Sequence, residues 1–571
     1  MKFIHVYNDE YFEGLVKNNL INKNSGFKIQ HCFTVPEHMK FNKLAAKGGR
    51  LHSILKEGNH PFYVDRLAGG IAYYEYDFDK ELIREYSEML GDSFLGFQLH
   101  ESGTNKRYID WGGIRRKTGS NGPYDVEELK KLLLHEKRTE AMGFPMYCMN
   151  IDGPEFYATK RFEETIEGYF EEMKDMFRRK MALVDGHILP VDSGFAAMKF
   201  ENELGMKTFM PEVGAQIPLM RFQVALTRGI ARNNGKTWGT YYECWFWRKE
   251  GYSMPCFNKE PGNEWYLPQE LHGDDFTSYG LNGGSSRLLQ RRIYYYSLMS
   301  GADYVGEEWG LNCSYNDMNT FELSEYGEVK KEFIDTAEEI GNVDPITPFA
   351  IVLPVEYSIL EIYKKGLKVG DHPDEYMKIP LNPEQKAYYG HVHDVLYSFL
   401  AQLDETYGNE WHTIQNSRFG DMFDLIYEDA GEETFKNYDY LIDATKDGRF
   451  AKKYAGCNVI LSNDLDAMTE QVKALAPQVM PVTVDGLHWL VSVGEDGKRY
   501  LSIFNNEGNE RSLEFGNVID HNADRRVKVT FKEKNQLEVV RSFCDGIKVE
   551  RIDDKNWYVT VPATQMVILS Y

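Results

Sequence analysis

Eight short apolar segments, separated by stretches of helical periodicity, fill the first half of the chain, and nearly all of them end in an acid, a histidine or a tryptophan. In order they read FKIQHCFTVPEH, PFYVDRLAGG, SFLGFQLHES, GFPMYCMNID, GHILPVDSG, KTFMPEVG, KTWGTYYECWFW and GADYVGEEWG. Strand-like segments alternating with amphipathic helices predict parallel strands joined by crossover helices, and eight such units close into a (β/α)8 TIM barrel. The carboxyl ends of the strands then meet on one rim. Glu37, Asp65, His100, Glu101, Asp152, Asp192, Glu212, Glu243, Glu307 and Glu308 all lie at such ends. A rim so rich in carboxyls and tryptophans would make a poor core. It is well suited to gripping and hydrolysing a sugar.

The helical stretches fit the outer ring. In RFEETIEGYFEEMKDMFRRK the residues Phe162, Ile166, Tyr169, Phe170, Met173 and Phe177 recur at spacings of three and four. IPLMRFQVALTRGIARNNG follows the sixth segment, with Pro218 near its start and Gly235 just past its end. The connection after the seventh segment is long and rich in Gly, Asn, Trp and Tyr, which predicts a lid or pocket wall. Residues 1–346 are assigned to the barrel, closed by the helix SEYGEVKKEFIDTAEEIG and a linker, NVDPITP. Residues 347–482 again alternate strand and helix, as a small flavodoxin-like α/β domain with no phosphate-binding glycine loop. Residues 483–571 contain alternating strands and polar turns, as an antiparallel β-sandwich.

Composition narrows the partners. A hydrophobic content of 42% and an aromatic content of 14% exclude a disordered chain. A net charge of −23 argues against nucleic acid or an anionic membrane as partner. MKFIHVYNDEYFEGL carries acids early and lacks the apolar stretch of a secretion signal, and no long apolar run predicts a membrane span. The seven cysteines are scattered without a CxxC pair, which points away from zinc sites and disulfides and toward the cytoplasm.

Two acids stand out as catalytic. Glycosidic cleavage needs one carboxyl to protonate the leaving oxygen and another to act as nucleophile or base. Glu243 ends the seventh segment among Tyr241, Tyr242, Trp245 and Trp247, whose faces suit a sugar ring, and fits the nucleophile or base. Glu212 ends the sixth and is a plausible acid, and either could instead bond an arginine or a hydroxyl. Asp152, with Asn150 on the same strand face, and Asp192 are further candidate acids better placed to bind hydroxyls. Asp65, Arg66, His100 and Glu101 fit a hydroxyl-binding network, although Asp65 and Arg66 could equally be a structural ion pair. Of Glu307 and Glu308, alternation along a strand lets only one face the pocket, leaving the other to a helix cation. Glu308 and Trp309 are taken as the substrate-facing pair. The histidines of the barrel half form no HxH or HExxH, and no GxSxG occurs, so neither a metal nor a serine nucleophile is expected, and no cofactor is implied.

The order of parts resembles the family 42 glycoside hydrolases, the β-galactosidase-type enzymes of clan A. YDYLIDAT, the run into CNVILSN and the closing VPATQMVILSY are similar to the second and third domains of that group. The resemblance implies a retaining mechanism, a nucleophile ending the seventh strand, which is Glu243, and oligomer contacts through the middle domain. The family's acid/base follows an Asn on the fourth strand, where this chain has Asn150-Ile151-Asp152. That departure leaves the acid/base open among Glu212, Asp152 and Asp192. The expectation is an exo-acting cytoplasmic glycosidase, homo-oligomeric, acting on a small carbohydrate. Its rivals are a barrel that binds carbohydrate without cleaving it and a metal-dependent hydrolase.

Overall fold

The computed structural model describes residues 1–571 except 31–36, 69–75, 103–113, 149–151, 162–164, 193–196, 215–218, 244–245, 249–250, 254–286, 309–313, 318, 360–382, 402–413, 513–515 and 520. The N-terminal half is a (β/α)8 TIM barrel. Its strands are β1 (Lys2–Tyr7), β2 (Ser25–Ile29), β3 (Phe62–Ala68), β4 (Phe94–His100), β5 (Ile188–Val191), β6 in two pieces (Thr208–Phe209 and Glu212–Gly214), β7 (Thr237–Glu243) and β8 (Tyr304–Glu307). All neighbours pair in parallel: β1 lies between β2 and β8, and β8 pairs with β7. Closure runs through β5 and β6, where the Glu212 amide donates to the Asp192 carbonyl at 2.9 Å.

One strand was missed from the sequence and one expected strand is overturned. MKFIHVY, read from sequence only for the absence of a leader, supplies β1, buried over nearly its whole length. GFPMYCMNID supplies no strand of the barrel. Its described part makes one isolated bridge, Leu134 to Tyr147. The reason is pairing: Phe97 to His100 on β4 sit directly against Ile188 to Val191 on β5, with no room for a strand between them. The count of eight survives with different members. The fourth strand is therefore FLGFQLH, followed by Glu101.

The ring helices form where periodicity places them. α1 (Ile166–Leu183) is capped by Thr165, whose hydroxyl accepts from the Gly168 amide at 3.1 Å. α2 (Met220–Asn233) follows β6, α3 (Arg287–Met299) precedes β8, and α4 (Glu325–Ile340) follows it, capped by Ser324. Inside the barrel, Ile4, Tyr63, Leu95, Leu189, Val191, Met210, Tyr241 and Tyr304 pack as a separate apolar cluster. This layer floors the site above it.

Beyond the barrel, β9 (Phe349–Leu353), β10 (Phe423–Tyr427), β11 (Tyr440–Asp443) and β12 (Val459–Leu461) form a parallel sheet in the order β10-β9-β11-β12. Among the described residues, the remaining strands form two larger antiparallel sheets, one of five strands and one of four, and three two-stranded pairs, two of them beside the barrel at 246–253 and 315–323. Residues 343–345, expected to be linker, instead form the edge of the five-stranded sheet, pairing with 492–494. The parallel sheet is fastened to the barrel by charge. Arg228 of α2 is fully buried and bonds Asp424 at 2.6 Å and Asp421 at 3.4 Å. Among the described residues no helix is long and apolar enough to cross a membrane.

Candidate active site

Alternation along the strands decides which rim residues point inward. On β7, Tyr241 belongs to the inner layer, so Glu243 two residues on shares its face, while Tyr242 packs outward against Tyr294. On β6, Met210 faces inward and Glu212 follows it, in register with Tyr241. Gly214 stands opposite Glu243, and a Cβ there would lie 2.5 Å from the Glu243 Cβ, so only glycine leaves room for that side chain. On β8, Tyr304 faces inward and Glu308 comes to the centre. Glu307 turns to the ring, where Lys330 of α4 pairs with it at 2.6 Å and the Tyr294 hydroxyl bonds it. The two adjacent glutamates are thus split between the faces.

Strand β4 gets its inward residues by an irregularity. Leu95 lies in the inner layer, yet Phe97 and Leu99 belong to the outer core. A register shift against β3 at Gly96, whose φ is +99°, flips the alternation. Gln98 and His100 are thereby aimed into the barrel. A Cβ on Gly96 would lie 2.6 Å from the His187 carbonyl, in a conformation L side chains rarely adopt. Two non-glycine residues on this rim are left-handed as well, Arg66 at φ +64° and Glu101 at +43°. Such conformations persist only where the surroundings enforce them, and they concentrate at functional sites.

The result is a layered polar cluster. Lys28, fully buried, donates to Asp65 at 2.9 Å, to the Glu308 carbonyl at 3.2 Å and to the Tyr241 hydroxyl at 3.3 Å. Gln30 donates to Asp65 at 3.2 Å and to the Glu308 carbonyl at 2.8 Å. Burial pushes the Lys28 ammonium pKa down, against the pull of Asp65 and Glu308. Arg66 bonds the Glu308 carboxylate, and its amide donates to the Gln98 side chain at 3.2 Å. Above them stands His100. Its Nε2 is 3.7 Å from Glu101 and 3.8 Å from both Glu212 and Glu308.

Among the described residues, five carboxyls, Asp65, Glu101, Glu212, Glu243 and Glu308, share a space with Lys28 and Arg66. The imbalance falls on Glu212. Burial, then the charges of Glu101, Glu308 and Glu243, push its pKa well above the usual glutamate range, with Arg66 opposing. Glu212 and Glu243 are buried, whereas the Glu101 side chain is 30% exposed and faces the mouth. His100, Glu101 and Glu212 also present three donor atoms within 4.8 Å of one another, a set that could hold a divalent metal. No sequence motif marks it, because the donors come from two different strands.

Other candidates lie off this centre. Val191 faces inward, so Asp192 turns outward, accepting from Ser102 at 3.0 Å and facing Glu201. Asp152 makes a two-pronged ion pair with Arg179 of α1, at 3.2 and 3.1 Å. Asn150, Trp245, Trp309 and the 254–286 loop lie outside the described residues, as does the Glu37 side chain. Lys28, Gln30 and Gln98 are members the sequence reading did not single out, and Tyr241, read there as a face for a sugar ring, bonds Lys28 and Asp65 through its hydroxyl. A lysine and a glutamine two apart in a strand of otherwise apolar residues were the available signal.

No family model matches the sequence, and no curated protein matches it. Among solved structures, the chain is similar to the catalytic module of a family 98 glycoside hydrolase from Streptococcus pneumoniae, at 9% identity and TM-score 0.44, covering 100% of this chain and 98% of that one. It is also similar to α-L-fucosidase isoenzyme 2 from Paenibacillus thiaminolyticus, at 10% identity and TM-score 0.42, covering 100% and 99%. A third similar structure is GH5_18 from Streptomyces cattleya in complex with GlcNAc, at 10% identity and TM-score 0.33, covering 79% and 92%. At these values the likeness assigns neither activity nor substrate to this chain.

Proposed function

We propose that the chain is a glycoside hydrolase that releases sugar units from the end of a small oligosaccharide or glycoconjugate, with retention at the anomeric carbon. The observation that carries this reading is the gathering of Glu101, Glu212 and Glu308 about His100, with Glu243 close enough to act on Glu212, at the carboxyl ends of four barrel strands, and with Glu212 biased to its protonated form. In this reading Glu243 attacks the anomeric carbon while Glu212 gives its proton to the leaving oxygen as the glycosidic bond breaks. The ionised Glu212 then takes a proton from water, which displaces Glu243 and frees the sugar. Asp65 and Glu308, held by Lys28 and Arg66, accept hydrogen bonds from sugar hydroxyls. Retention requires the two catalytic carboxyls about 5–5.5 Å apart, against roughly 6.5–9.5 Å for inversion.

The corrected strand order adds a competitor for the acid. The position that the family 42 resemblance assigns to the acid/base falls at the end of β4, on His100-Glu101. Leaving-group dependence separates the two. The Gln variant of the true acid loses about 10²–10⁴-fold on a sugar-linked substrate and far less on a dinitrophenyl glycoside, whose leaving group needs no proton. The expected residue is Glu212. The same pattern in Glu101→Gln, with Glu212→Gln indifferent to the leaving group, would transfer the role.

A second reading, metal-assisted hydrolysis, is favoured by the His100, Glu101 and Glu212 donor set. Activity that falls on chelation and returns with a divalent ion would establish it. We read residues 347–482 as a flavodoxin-like domain serving assembly of a cytoplasmic homo-oligomer, and 483–571 as a β-sandwich. The parallel β10-β9-β11-β12 sheet and the antiparallel sheets after it support this reading.

A further inference from the structure

A second polar hollow lies away from the barrel mouth, at the carboxyl end of the β10-β9-β11-β12 sheet. From β9 the chain leaves to one side to form β10, then crosses back to form β11 on the other side. Where connections depart from neighbouring parallel strands in opposite directions, their carboxyl ends leave a crevice, and open α/β sheets bind ligands there. The loop after β9 carries Val355 and Glu356. The loop after β11 carries Lys446, Asp447 and Arg449. Together they line one cavity of about 760 Å³, within the range of small-molecule sites.

The crevice is preformed. Asp443, buried at the end of β11, accepts from the Thr445 amide at 2.8 Å and the Ala451 amide at 2.9 Å, fixing the turn that presents Lys446 and Asp447. Glu428, just past β10, accepts from the Val355 amide at 3.2 Å and from Arg449 Nε at 2.9 Å. One carboxylate thus ties together the loops of all three strands. Helix α5 (Pro383–Leu400) adds Tyr388 and Tyr389, and Phe170 of α1 closes the barrel side. The Tyr388 hydroxyl is buried and has no hydrogen-bond partner among the described residues.

Charge and aromatic content limit the ligand. Arg449 is already neutralised by Glu428 and Glu356, and Lys199 by Glu203 and Asp429. Among the described lining residues that leaves Lys446 with Glu167, Glu384 and Asp447, an acidic remainder that disfavours phosphates and other polyanions. Carboxylates accept from vicinal hydroxyls, and aromatic faces cover the C–H face of a pyranose. We propose that this crevice is a second carbohydrate site, taking a neutral mono- or disaccharide, independent of what the barrel cleaves.

Saturation-transfer NMR on the full chain carrying Glu212→Gln and Glu243→Gln, with galactose, N-acetylglucosamine and lactose as probes, tests it. Saturable binding of at least one probe is expected, weakened at least tenfold by adding Tyr388→Ala and several-fold by adding the exposed Glu384→Gln, with the melting curve unchanged for the latter. Because the barrel acids are already replaced, this binding survives even if the barrel is no glycosidase. Saccharide binding indifferent to both substitutions, or no saccharide binding at all, overturns the site. Inorganic phosphate displacing the sugar overturns the ligand class.

Discussion

Glu212 is buried within reach of the charges of Glu101, Glu308 and Glu243, and its proton is the chemical consequence. A carboxyl whose pKa is raised by burial and by Glu101, Glu308 and Glu243 stays competent as an acid until pH climbs past that raised value. kcat/KM is therefore expected to fall on the alkaline side in the wild type, and the limb should vanish in Glu212→Gln along with most of the rate. Glu201 is raised in the same direction, by burial and then by Asp192. For an acid whose folded pKa lies above its unfolded one, stability is fully present below the unfolded pKa and is lost as pH rises through the folded pKa. Glu201→Gln should flatten the decline of Tm as pH rises above the ordinary glutamate range, measured by calorimetry from about pH 4 upward. An unchanged slope would mean that Asp192 and Glu201 do not share a proton.

At the scale of the elements, the site depends on where strands begin and bulge. The alternation of apolar segments and helices was enough to read a barrel, and Glu212, Glu243, His100 and Glu308 were legible as strand-end residues. The identity of β4 was not, because MYCMNID has strand-like composition and its exclusion follows only from the direct β4-β5 pairing. Nor was the bulge legible, since nothing local distinguishes Gly96 from a glycine in an even strand. Its φ of +99° lets Gln98 and His100 face inward while Phe97 and Leu99 face the ring. Gly96→Ala should cost about 1–3 kcal/mol in urea unfolding and lower kcat more than KM, because His100 would lose its aim. A loss of stability with kcat intact would show that the bulge serves packing alone.

For the whole molecule, the barrel and the following sheet are joined by buried charge as well as by apolar contact. Arg228 reaches from α2 to Asp424 and Asp421, and Asp424 also accepts from Arg232, Thr347 and Tyr438. Arg228→Ala would leave two buried aspartates short of their partner, at a cost of about 3–5 kcal/mol. Thermal unfolding should then split into two transitions where the wild type shows one. A single unshifted transition would mean that apolar packing alone fastens the parts. This joint was beyond the sequence, because Arg228 reads there as one more basic residue on an amphipathic helix.

In the proposed function, the acid cluster of the barrel cleaves glycosidic bonds through Glu243. Nitrophenol release from a panel of nitrophenyl glycosides of both anomers, measured for wild type and Glu243→Gln at matched folding, tests it most directly. Turnover of at least one glycoside by the wild type is expected, with a loss of about a thousand-fold or more in the variant. Binding of sugars with no cleavage by the wild type, or cleavage that survives in Glu243→Gln, would contradict it.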